Sequence, residues 1–164
     1  MQTRRLGNSD LDITVIGFGA WAIGGGDWLF GWGPQDDADS VKAIHRAVDL
    51  GINWIDTAAA YGLGHSEEVV ARAVRELPPA RRPHVFTKCS LVWDESRTLT
   101  HDLHPDSLRR EVEGSLTRLG VDTIDLQQFH VWTDEWAGDE RWQRAIDDLK
   151  RQRLIRAFGI SLNR

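Results

Sequence analysis

Short runs with strand character alternate with helical stretches along the whole chain, and this alternation leaves few folds open to it. Strands are expected at 15–19 (Val15-Ile16-Gly17-Phe18-Gly19), 53–56 (Asn53-Trp54-Ile55-Asp56), 84–88 (His84-Val85-Phe86-Thr87-Lys88), 123–130 and 155–161. The segments between them repeat apolar residues at helical spacing. The first uses Asp36 or Asp37 as N-cap, turns Val41, Ile44 and Val48 to one side and stops at Gly51. The second is expected to be capped by Ser66, carries Val69, Val70, Ala73 and Leu77, and ends at Pro78-Pro79. Pro105 opens the third, with Leu108, Val112, Leu116 and Leu119 inward and Gly120 as terminator. A fourth covers about 139–152. Ahead of the first strand, 4–6 and 13–15 read as a hairpin turning through Gly7-Asn8-Ser9-Asp10, and the stretch after Lys88 reads as a polar loop.

Strict alternation implies a parallel sheet with right-handed crossovers. An open doubly wound sheet and a (β/α)8 barrel both satisfy it. Strand starts recur at roughly 30–40 residues, one βα unit each, so eight units would need about 300 residues. With 164 residues the chain supplies about five strands and four helices. The fold class is therefore α/β, a single domain over 1–164, and either an open sheet or an incomplete (β/α)8 TIM-type barrel. Gly17-Phe18-Gly19-Ala20-Trp21-Ala22 fits the G-x-G-x-x-G/A pattern of a dinucleotide-binding turn. That turn must start a helix at once, because the pyrophosphate rests on the helix N-terminus. Gly24-Gly25-Gly26 and Pro34 deny a helix there. The Rossmann reading fails on that point.

Composition removes several function classes. Twenty basic against 25 acidic side chains, a net charge of −5, give no electrostatic reason to expect nucleic acid or an anionic membrane as partner. The N-terminus lacks a signal-peptide core, and no segment approaches about 18 unbroken apolar residues. Cys89, the single cysteine, excludes an intrachain disulfide and reads as a small buried residue. His101-Asp102-Leu103-His104 matches no standard zinc spacing, so no metal is expected. Arg72, Arg75, Arg81, Arg82, Arg109 and Arg110 read as solvated outer helix faces. The chain reads as a cytoplasmic protein.

In a βα barrel the chemistry lies at the C-terminal ends of the strands. Those positions hold Trp21, Asp56, Lys88, His130 and Ser161, and Tyr61, the single tyrosine, follows Asp56 in the next loop. Side-chain alternation lets these groups meet at one mouth. Only one acid stands among them, which argues against a hydrolase with paired carboxylates. Seven aromatic residues, Trp21, Trp28, Phe30, Trp32, Trp93, Trp132 and Trp136, fall in loops after strands. They read as apolar walls around a small-molecule pocket, with Trp21 and Trp132 the main candidates.

These residues resemble the aldo-keto reductase family. Asp56-Thr57-Ala58-Ala59-Ala60-Tyr61-Gly62, followed by Ser66-Glu67-Glu68, is similar to its D-T-A-x-x-Y-G motif. Thr87-Lys88 resembles its lysine strand, Asp122 to His130 its D-x-x-D-L-x-Q-x-H motif, and Arg156-Ala157-Phe158-Gly159-Ile160-Ser161 its R-A-x-G-x-S strand. The opening Gly-x-Gly-x-Trp and the hairpin also fit. The resemblance implies a barrel enzyme that reduces aldehydes or ketones with NADPH, in a monomer about twice this length.

Under that resemblance Tyr61 would donate the proton, although phenol, with a pKa of about 10, is a weak acid. Lys88 would lower that value, and Asp56 would hold Lys88 charged and oriented. His130 would hydrogen-bond the carbonyl oxygen. Ser161, Asn163 and Gln128 would bind the nicotinamide carboxamide; Leu162 separates Ser161 from Asn163, which are adjacent in the family pattern. The adenosine-phosphate contacts would lie beyond residue 164. Inner residues Trp54, Phe86, Ile124 and Leu126 are expected to need cover. Two expectations follow: a fragment of a longer reductase, or a naturally short chain completed by a homodimer or a partner. In the second case it could be a non-catalytic half-barrel binding or assembly subunit.

Overall fold

In the computed structural model, which describes residues 1–162, five parallel strands lie side by side in the order in which the chain makes them. In chain order the elements are β1 (Thr3–Arg5), β2 (Asp12–Thr14), β3 (Phe18–Gly19), α1 (Asp37–Asp49), β4 (Trp54–Asp56), α2 (His65–Glu76) and β5 (His84–Cys89). Then come β6 (Leu91–Trp93), β7 (Leu99–His101), α3 (Pro105–Leu119), β8 (Ile124–Phe129), α4 (Glu140–Arg151) and β9 (Ile155–Ile160). The main sheet runs β3-β4-β5-β8-β9, while β1-β2 and β6-β7 are separate antiparallel hairpins. A doubly wound sheet reverses its strand order at a switch point. This one does not, so it is a run of consecutive staves from a barrel wall.

The two faces of the sheet confirm that assignment. Ile44 of α1, Val70 of α2, Val112 of α3 and Leu149 of α4 join Ile55, Val85, Ile124 and Ile155 in one buried cluster. The helices therefore cover a single face. The other face carries Trp54, Phe86, Leu126 and Ala157, packed against Leu6, Leu11 and Ile13 of the hairpin. The hairpin thus supplies cover that the inner residues were expected to need. Ile124 does not belong with them, because it joins the helix side.

Several boundaries differ from the sequence reading, each for a local reason. The hairpin pairs Thr3 with Thr14 and Arg5 with Asp12, one residue earlier than expected on each arm. The strand expected at 15–19 shrinks to Phe18–Gly19. Val15 still donates its N–H to the Gln2 carbonyl at 3.1 Å, so the chain must bend before it can enter the sheet, and Val15 and Ile16 stay exposed. Asp36 is the N-cap of α1 and accepts from the Asp39 amide at 2.9 Å. Ser66 does not cap α2. The cap is Gly64, and the Ser66 hydroxyl instead donates to the Ala20 carbonyl and meets the Thr57 hydroxyl, both at 2.9 Å. The expected polar loop after Lys88 contains the β6-β7 hairpin.

Gly17, part of the rejected dinucleotide pattern, is needed for packing. The Trp54 indole donates to the Thr14 carbonyl at 2.8 Å, which lays its ring over Gly17, where a Cβ would come within 2.2 Å of it. At the root of the β6-β7 hairpin Ser90 takes a positive φ of 72°, and Glu111 of α3 lies against the Ser90 and Leu91 amides. Both carboxyl oxygens of Glu111 are buried without a well-formed hydrogen bond among the described residues. Burial pushes this carboxyl up to about 8, with the Asp102 charge acting the same way and the two amides opposing. Among the described residues no helix is long and apolar enough to cross a membrane, and no cluster of three or more His, Cys, Asp or Glu could hold a metal ion.

Two outcomes follow from this packing. Gly17→Ala should lower stability by about 1–3 kcal/mol through overpacking, read as a fall in Tm, and an unchanged Tm would contradict the ring placement. Glu111 has a folded-state value above its ordinary 4.5, so its stabilising protonated form is fully present below that pH and is lost as pH rises towards about 8. Glu111→Gln should therefore match the parent in Tm at the acid end and exceed it increasingly across that window. A gap that is constant with pH would contradict this.

Candidate active site

The inner face of the barrel wall is built in two layers, because residues two apart on a strand share a face. Trp54, Phe86, Leu126 and Ala157 form the apolar layer beside the hairpin. Two residues further along each strand stand Asp56, Lys88, Gln128 and Gly159, and the ladder sets Lys88 beside Gln128 and Gln128 beside Gly159. Lys88 is 4% exposed. Its ammonium donates to Asp56 Oδ2 at 2.6 Å and to the Thr57 carbonyl at 2.8 Å, and Gln128 Nε2 donates to Asp56 Oδ1 at 2.9 Å. Burial pulls Lys88 below its ordinary value, while Asp56 works in the opposite direction. Behind this strand, fully buried Glu67 accepts from the Thr87 hydroxyl and from Arg118 Nε at 2.6 Å, a support the sequence reading did not identify.

Tyr61 is delivered by the loop after β4. Its ring stacks on Trp21 (centroids 5.9 Å, 8° between planes), leans on Trp28 at 5.8 Å and meets the His130 ring edge-on at 5.4 Å. The Lys88 ammonium lies 5.0 Å from the ring centre. A glycine pair allows this loop to dock: Gly62 has a φ of 63°, and a Cβ on it would lie 2.2 Å from the Gly24 carbonyl oxygen. The loop that bears Gly24 also carries the aromatic wall.

One expectation is reversed. The Tyr61 phenol is held well above its ordinary value, first by burial and then by the Asp56 carboxylate. The Lys88 ammonium, paired with Asp56 and the Thr57 carbonyl, does not outweigh these two effects. His130 goes the other way: burial, with the charge of Lys88, pushes its imidazole down to about 4, so it is neutral at pH 7.

Tyr61 and His130 open onto a cavity of about 380 Å³ bounded by Trp21, Trp28 and Phe30 on one side and by Leu99 and His101 on another. Ser161 also lines it. Arg97 ties the two sides together by donating to the Asp27 carbonyl at 2.9 Å. Trp132, expected in the wall, is placed elsewhere. It stacks on fully buried Phe129 (6.3 Å, 12°) and meets Trp136 and Trp142 edge-on, pinning the loop after β8 against α4. Gln128 faces the barrel interior with Leu126 and Gly159 rather than this cavity. Asn163 lies outside the described residues. The sequence reading missed Leu99 and His101, although apolar residues on both sides of Asp94-Glu95-Ser96-Arg97 were a usable hairpin signal.

The structure therefore brings Asp56, Lys88, Gln128, Tyr61, His130, Trp21 and Ser161 to one end of the wall and leaves Trp132 out. A nicotinamide carboxamide would need a donor and an acceptor, and one of each is present, Ser161 on the cavity and Gln128 on the adjoining interior face. Ser161 offers a hydroxyl, and Gln128, whose amide nitrogen is taken by Asp56, keeps a carbonyl oxygen to accept from a carboxamide.

Comparison with known proteins gives the same fold and its family. The model of the aldo/keto reductase family matches residues 15–164. The chain is 36% identical over 167 residues to the NADH-specific methylglyoxal reductase of Escherichia coli, covering 94% of this chain and 50% of that protein. It is 43% identical to the solved glycerol dehydrogenase AKR11B4 from Gluconobacter oxydans, with a TM-score of 0.83 over 98% of this chain and 48% of the other. An aldo-keto reductase from Klebsiella pneumoniae solved in complex with NADPH is 27% identical, with a TM-score of 0.71 over 91% of this chain and 45% of the other. The chain spans about half the length of the curated relatives it matches.

Because Tyr61 is the single tyrosine, its ionisation is assignable by ultraviolet difference titration. The midpoint should lie above the ordinary value of about 10. Asp56→Asn should bring it down without restoring that value, since burial persists. An unmoved midpoint would remove Asp56 as a cause.

Proposed function

The chain belongs to the aldo/keto reductase family, and we propose that it carries the carbonyl-reducing centre of such an enzyme, converting an aldehyde or ketone to an alcohol with a reduced nicotinamide dinucleotide. The observation that carries this reading is buried Lys88 paired with half-buried Asp56, completed by Gln128, directly beside Tyr61 and His130.

Reduction needs a hydride at carbon and a proton at oxygen. A bound nicotinamide dinucleotide would supply the hydride. His130, neutral at pH 7, donates a ring N–H to the carbonyl oxygen and orients it. Tyr61 keeps its proton in the resting site and releases it only when negative charge develops on that oxygen. Lys88, near the ring face, then offsets the phenolate left behind, and Asp56 keeps Lys88 aimed and charged. Trp21 and Trp28 exclude water around the phenol. Ser161 and Gln128, with Asn163, would hold the carboxamide. NADPH is the expected carrier, with NADH as the competing one in view of the NADH-specific relative. Contacts to its phosphates would come from barrel units beyond these five strands, in continuing chain or a second subunit.

Tyr61→Phe should cut carbonyl-dependent oxidation of NADPH or NADH by about 10²–10⁴-fold while leaving dinucleotide affinity, followed by tryptophan fluorescence, unchanged. Equal activity in the variant would remove the assigned donor. Binding without turnover in the parent chain would favour the non-catalytic subunit instead.

A further inference from the structure

We propose that His101 selects substrates that carry a hydroxyl on the carbon next to the carbonyl, by accepting that hydroxyl's hydrogen on Nε2. The proposal rests on the carbonyl-reducing reading above and adds a residue to it. It starts from the polar groups that face the cavity. The wall is rich in indoles, but their donors are already engaged: Trp21 Nε1 donates to the Phe30 carbonyl at 2.9 Å and Trp28 Nε1 to the Gly25 carbonyl at 3.1 Å. Tyr61 and His130 are assigned to the carbonyl oxygen, and Ser161 to the cofactor. His101 is left over, and it lines the same cavity.

Its tautomer follows from its partner. His101 Nδ1 lies 3.1 Å from the Ser90 carbonyl oxygen, which can only accept, so Nδ1 carries the hydrogen. In the neutral ring Nε2 is then an acceptor. The ring is also fixed in direction, since it meets the Trp136 ring edge-to-face with centroids 5.4 Å apart and its backbone belongs to the β6-β7 hairpin. His101 and His130 line the same cavity. A substrate whose carbonyl oxygen is held by Tyr61 and His130 would extend its neighbouring carbon along the wall to which His101 belongs, with Nε2 its remaining acceptor. An alkyl group there drives water off Nε2 and returns nothing, whereas a hydroxyl restores the hydrogen bond. Discrimination arises mainly from that penalty.

The test compares hydroxyacetone with acetone, which differ only in that hydroxyl, on the full chain. The parent should prefer hydroxyacetone in kcat/KM by about tenfold, a ratio corresponding to about 1.4 kcal/mol. His101→Phe, which keeps a ring against Trp136 but has no acceptor, should bring the ratio close to one. His101→Gln, whose side-chain oxygen can still accept, should restore part of it. A parent with no preference, or a Phe variant that retains it, overturns the assignment. If the parent turns over neither ketone, the carbonyl-reducing reading fails, and the same ratio is then read as relative affinity from quenching of cavity tryptophan fluorescence. Equal affinity for the two ketones overturns the role of His101 there too.

Discussion

The buried ammonium of Lys88 is the constraint around which the rest of this structure is arranged. A charge removed from water at the centre of a barrel wall must find partners or shift towards neutrality. Here the Asp56 carboxylate and the Thr57 carbonyl provide them, at 2.6 and 2.8 Å. That geometry requires β4 and β5 in one register, with Asp56 opposite Phe86 and Lys88 one layer above. Gln128 takes the second oxygen of Asp56, which brings β8 into the same arrangement. Three strands are thus tied by one polar layer, and the apolar layer beneath it is sealed by the N-terminal hairpin.

Reactivity follows from what this layer does to Tyr61. A phenol beside an ammonium would ordinarily become more acidic, yet the carboxylate that steadies the ammonium also repels a phenolate. With its ring buried against Trp21 and Trp28, the phenol keeps its proton in the resting site. His130 is driven the opposite way by the same burial and remains a neutral donor. One environment thereby prepares a retained proton and an uncharged imidazole side by side. The loop that makes this possible depends on backbone contact between Gly24 and Gly62, which no side chain could occupy.

Much of the site was legible in the chain, for reasons that are local. Asp56, Lys88, Gln128 and His130 end or nearly end strands whose period of two sets the face each residue points to. The glycine of the rejected dinucleotide pattern was visible, but its purpose was not: Gly17 answers to Trp54, far along the sequence. Trp132 shows the limit most clearly. Its loop position resembled that of Trp21, and only the neighbouring rings of Phe129, Trp136 and Trp142 drew it away from the cavity. The β6-β7 hairpin carried a readable signal in the apolar residues on both sides of its polar turn, but His101 was weighed only as a metal ligand.

By itself the sequence determined the βα alternation, a helix start at Asp36 or Asp37, the helix opened by Pro105 and ended at Gly120, and the chemical identity of the strand ends, because hydrophobic period and backbone chemistry act over a few residues. Tertiary structure alone decided the unreversed strand order that makes the sheet a barrel wall, the upward shift of Tyr61, and the hydrogen on His101 Nδ1. Each of those depends on groups brought together from distant segments, where burial and the nearest charge or carbonyl outweigh anything encoded next door in the chain.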